Sequence, residues 1–101
     1  MNETQKKKRN FRQSKAWKLF RHQKNVEQGG IDPITKKKLC KGANLHHRNL
    51  SAEEYENLEK SDDFVMLNHQ THECLHWIYR YWEKDPEILN RIEAELKLWH
   101  K

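Results

Sequence analysis

The chain has 101 residues, 35% hydrophobic and 35% charged, with a net charge of +5. This length suits one domain, or a domain with a tail, and no apolar run approaches the roughly 18 residues of a membrane span. No N-terminal stretch reads as a signal peptide, and two cysteines, Cys40 and Cys74, are too few for a disulfide framework or a four-thiolate zinc site. A protein of a reducing, cytoplasmic compartment is expected, with no membrane partner. Four Trp, three Tyr and three Phe must supply much of its core.

The charge is unevenly spread. Residues 1–50 hold 14 Lys and Arg against 3 Asp and Glu, whereas residues 51–101 hold 6 against 12. A basic half suggests a polyanionic partner, most simply nucleic acid. A solubilising tail with solvated helix faces would give the same count.

In chain order, residues 1–12 lack a hydrophobic pattern and are expected to be a flexible basic arm before a single domain over 13–101. Residues 14–28 predict a helix with Ala16, Trp17, Leu19, Phe20 and Val26 as its apolar residues, ended by Gly29-Gly30. Its polar side carries Lys15, Lys18, Arg21 and Lys24. A turn follows at Asp32-Pro33-Ile34-Thr35, then the cationic run Lys36, Lys37, Lys38. Residues 43–47 suit a short strand. Ser51-Ala52-Glu53-Glu54 has a capping-box pattern, predicting a helical turn or two over 52–58. Phe64-Val65-Met66-Leu67 predicts a second, buried strand. From about Gln70, Leu75, Ile78, Tyr79 and Trp82 recur at helical spacing. Asp85-Pro86 reads as an N-cap with Pro at the first position of a last helix. That helix carries Ile88, Leu89, Ile92, Leu96 and Trp99 on one face. The expected class is α+β, mostly helical, in the order helix, strand, strand, helix, helix.

Seven histidines make an unusual supply of imidazole. His72 and His76 stand at i and i+4 on a predicted helix, so both rings share one face. That spacing is a common way for a helix to hold a metal, and a surface pair is the plainer alternative. His46 and His47 are adjacent in a predicted strand and should face opposite sides. One could then meet a metal held by the helix while the other serves a different role, unless a local twist brings both to one cleft.

Together the pieces ANLHHRNL and SDDFVMLNHQTHECLH resemble the HNH, or ββα-metal (His-Me finger), nuclease motif over about residues 31–78. Asp63 stands where the family's middle Asn lies. His72 and His76 follow it at the spacing of colicin-type members. The resemblance implies a ββα-metal core at about 43–84, flanked by a basic N-terminal helix and a C-terminal helix. It implies one divalent ion, Mg, Mn, Ni or Zn, with His46, His72 and His76 as ligands. His47 would be the general base, and Asp63 would lock the loop and orient it. Many members also carry a zinc knuckle of two CxxC pairs. Here the four places hold Asp32, Thr35, Asn68 and Thr71, which predict a hydrogen-bonded crosslink in its stead. Cys40 and Cys74 match none of them and read as ordinary thiols.

The implied activity is metal-dependent hydrolysis of DNA phosphodiesters by a small stand-alone, phage-type enzyme that nicks with weak sequence preference. The expected footprint on double-stranded DNA is Lys15, Lys18, Arg21, Lys36, Lys37, Lys38 and Arg48, with a phage or host protein as a further partner. Trp77, Tyr81 and Trp82 are expected to pack on the C-terminal helix rather than stack on bases. His22 and His100 are given no role, and His69, just before the ligand helix, is expected to face solvent rather than to touch phosphate. The competing reading is a non-catalytic nucleic-acid-binding or structural-zinc module that keeps the fold alone.

Overall fold

The computed structural model describes residues 2, 3, 5–7, 14–48 and 61–100. Its elements are α1 (Lys15–Glu27), β1 (Asn44–His47), a 3-10 turn (Ser61–Asp63), β2 (Phe64–Leu67), α2 (His69–Trp82) and α3 (Ile88–Leu98). The class is α+β and mostly helical, with one two-stranded antiparallel sheet. The expected helical turn at 52–58 lies outside the described residues, as does most of the 1–12 arm. At the start of that arm Asn2 and Gln5 exchange side-chain-to-backbone bonds of 3.1 and 2.8 Å, and residues 3 and 5–7 are helical. This reciprocal capping box supplies partners that the absent hydrophobic pattern does not. Among the described residues, no helix is long and apolar enough to cross a membrane.

The backbone divides into two compact units, residues 1–69 and 70–101. In the first, Ser14 caps α1 by accepting from the Trp17 amide at 3.2 Å. Gly29 and Gly30, at φ of 65° and 71°, end it in the left-handed region that glycine enters without a Cβ clash. The strands pair Asn44 with Leu67, Leu45 with Met66, His46 with Val65 and His47 with Phe64. All four β2 residues are buried, as its unbroken apolar run predicts. Leu39, Ala43 and Met66 form one core cluster, with Leu45 packed against it.

The buried stripe of α1 differs from the predicted one. Trp17 and Lys24 are buried and Phe20, Arg21 and Gln28 half-buried, while Leu19 and Val26 are exposed. The sheet therefore selects the row 17, 20/21, 24, 28, one residue per turn, although its second half is polar. Lys24 belongs to this stripe rather than the solvated basic side, with its ammonium 3.6 Å from Glu27. Gln28 acts as a surrogate strand: its Oε1 accepts from the Met66 amide at 2.7 Å and its Nε2 donates to the Met66 carbonyl at 3.0 Å. This satisfies both Met66 backbone groups on the free edge of β2.

In the second unit, α2 continues to Trp82 and α3 starts at Ile88, two residues beyond the predicted Pro86. Amides of Ile88 and Leu89 donate to the carbonyls of Asp85 and Pro86, forming a tighter turn first. The Asp85 carboxylate is engaged by Arg91 instead of capping the helix. Aromatic rings pair along α2, Trp77 with Tyr81 at 4.9 Å and Tyr79 with Trp82 at 6.0 Å. All four remain substantially exposed.

Candidate metal centre

The strand register separates the two adjacent histidines. His47 lies directly opposite Phe64, so both side chains project from one face of the sheet. Their rings are parallel within 4°, with centroids 4.4 Å apart. Phe64 in turn meets Phe20 and Trp17 of α1 edge-on, at 5.1 and 6.3 Å. His47 is thus buried on the α1 side, its ring plane fixed by stacking. His46 pairs with Val65 and projects from the other face.

On α2, the i,i+4 spacing brings the two helical imidazoles together. Nε2 of His72 and Nε2 of His76 are 3.0 Å apart, with the rings nearly perpendicular. Both residues are half-buried, as is His46, and the three offer ligand nitrogens that all lie within 4.8 Å of one another. Two nitrogens each about 2.1 Å from a shared ion would stand roughly 3.0–3.4 Å apart. The His72–His76 separation fits that requirement. Three imidazoles are a donor set that suits zinc, nickel and other borderline divalent ions, and leaves coordination positions for other ligands. The three histidines therefore lie close enough to bind a metal ion, and the residues present fit one.

Two of the four residues expected to form the crosslink, Asp32 and Asn68, do so in the first unit. The Asp32 carboxylate is fully buried. Its Oδ1 accepts from the amides of Ile34 and Thr35 at 2.8 and 3.2 Å, and its Oδ2 accepts from the Asn68 amide at 2.9 Å. The Asn68 side chain completes the clasp, accepting from the Cys40 amide at 2.7 Å and donating to the Lys38 carbonyl at 3.0 Å. Thr35 takes a smaller part, its hydroxyl accepting from the Lys37 amide at 3.3 Å within the turn. Thr71 is buried in the first turn of α2. Cys40 and Cys74 are free and exposed.

Asp63 sits at the end of the 3-10 turn, and its carbonyl accepts from the Arg48 amide at 2.6 Å. The Arg48 guanidinium donates to the Asp62 carbonyl at 2.7 Å. These bonds continue the β1–β2 pairing by one residue and tie the two ends of the segment between the strands. Lys15, Lys18, Lys36, Lys37, Lys38 and Arg48 are exposed, as binding to phosphate requires. Lys36 adopts φ of 62° inside the turn. Arg21 is half-buried and donates to the Ala43 carbonyl. His69 is exposed at the start of α2, its Nδ1 3.1 Å from Oδ1 of Asn44. The Asn44–His69 pair and the Gln28 edge cap escaped the sequence reading. A polar residue just past a helix end is the only hint of Gln28.

No family model, curated protein or solved structure matches the chain.

Proposed function

We propose that the chain is a metal-dependent HNH endonuclease that hydrolyses DNA phosphodiester bonds. The observation that carries this reading is the grouping of three imidazoles, His46 from a strand and His72 and His76 from a helix. The order of the elements supports it: a histidine pair in one strand, an Asp before the antiparallel partner strand, and a helix directly after. A binding module would need neither the helical pair nor His46 beside it.

In this reading His46, His72 and His76 hold one divalent ion, Mg, Mn, Ni or Zn. When bound, such an ion polarises a phosphate and offsets charge on the departing oxygen. His47 is assigned the proton of the attacking water on the HNH resemblance, a role suited to an imidazole, although the strand register turns its ring to the α1 side, away from His46. Stacking on Phe64 holds its ring in one orientation. The carboxylate of Asp63 locks the loop and orients that base in this reading, and its backbone carbonyl pairs with the Arg48 amide at the strand ends. Lys15, Lys18, Arg21, Lys36, Lys37, Lys38 and Arg48 bind the backbone of double-stranded DNA. Binding of this kind gives weak sequence preference, and a single site per chain makes a nick. A phage-type role in a bacterial cytoplasm, with a phage or host protein as partner, belongs to the same reading.

The test of the base is nicking of supercoiled plasmid by wild type and His47→Ala, each loaded with metal. Loss of nicking by at least about 100-fold in the variant, with metal affinity retained, is the expected outcome. Nicking undiminished in His47→Ala would remove the base from His47.

A further inference from the structure

A cleft of about 300 Å3 opens in the first unit, lined by Lys18, Arg21, His22 and Asn25 of α1, by Leu39, Cys40 and Lys41, and by Met66 of β2. Leu39 and Met66 are buried and give it an apolar floor. Three cationic side chains surround that floor, and among the described residues no carboxylate lines it. Arg21 is anchored by its bond to the Ala43 carbonyl, so its guanidinium is held in place before any ligand arrives. A guanidinium has five N–H donors, and the anchor occupies only part of that fork. His22 and Asn25 add polar groups from the same helix. Cys40 is fixed at the rim because its amide donates to Asn68.

We propose that this cleft seats a backbone phosphate of duplex DNA, with Lys18, Arg21 and Lys41 as its cationic partners and Leu39 and Met66 beneath the adjoining sugar. The chemistry is that of an anion site: clustered cations, one of them pre-positioned, over a floor that excludes water from one side. The cleft has room for a phosphodiester and the sugar beside it. It brings Lys41, His22 and Asn25 into the footprint, which their separation in sequence conceals. The proposal rests on the nucleic-acid part of the reading above and is independent of the metal.

The experiment uses the full chain in chelator, so that no cleavage occurs, with a short labelled duplex. Lys18→Glu/Lys41→Glu is compared with Lys84→Glu/Lys97→Glu, which makes the same charge change on the second unit. The cleft variant should bind at least about tenfold more weakly than this control. Its plot of log affinity against log salt should be shallower by about 0.9 for each phosphate it no longer neutralises. In wild type, saturating duplex should slow alkylation of Cys40 but not Cys74, each read by peptide mass. This second readout does not depend on how a variant folds. Equal losses in the two double variants, or Cys40 alkylated at its free rate under saturating duplex, would overturn the proposal. Cleft-dependent binding without nicking under any metal would sink the nuclease reading and leave the cleft standing. Nicking with no protection of Cys40 would do the reverse.

Discussion

Asp32 and Asn68 join two stretches 36 residues apart in sequence. A buried carboxylate with three amide donors is strongly held, because charge-assisted hydrogen bonds are shorter and stronger than neutral ones. Removing it leaves the amides of Ile34, Thr35 and Asn68 without their acceptor in a dry site. Asp32→Ala should therefore cost about 3–5 kcal/mol of stability. Urea unfolding of the two proteins measures this, and a loss under about 1 kcal/mol would show that water replaces the carboxylate. The clasp was legible in part. Short polar residues at a turn and a helix start announced Asp32 and Asn68. Their partners at Lys38 and Cys40 are backbone groups, and no side-chain pattern marks them.

At the scale of elements, local signals and tertiary selection diverge in α1. The two glycines marked its end correctly, because caps act within one turn, and its start was placed one residue early, on the Ser14 cap itself. Its buried face was misread, because Leu19 and Val26 were counted as core while the sheet takes Lys24 and Gln28. Which stripe is buried depends on the partner surface, and the β2 edge needs a donor and an acceptor more than another apolar side chain. Gln28→Ala should expose both Met66 backbone groups on that edge and destabilise the first unit by about 1–2 kcal/mol. Hydrogen exchange at the Met66 amide would rise with it, whereas unchanged exchange would mean that the edge is covered by other groups. The strands were more legible: a four-residue apolar run admits few alternatives, and period-two alternation already separated His46 from His47. The opening of α3 was misplaced because Asp85 finds Arg91, a partner six residues away that an N-cap signal does not register.

At the scale of the whole chain, two features were written in composition and one in spacing. The basic first half and acidic second half stand in the sequence itself, and the i,i+4 histidines follow from helical geometry. That His46 joins His72 and His76 depends on long-range placement, and only the resemblance to the HNH motif anticipated it. The grouping is the centre of the account, because the chemistry proposed for the chain needs an ion there. The measurement that tests it most directly is nicking of supercoiled plasmid at one equivalent of bound metal. Wild type and His76→Ala are compared, with metal content read on the same samples. The account predicts nicked circles from wild type, arrest by chelator, recovery when metal returns, and loss of both metal and nicking in His76→Ala. A folded wild-type protein that holds its metal and leaves the plasmid supercoiled would contradict it.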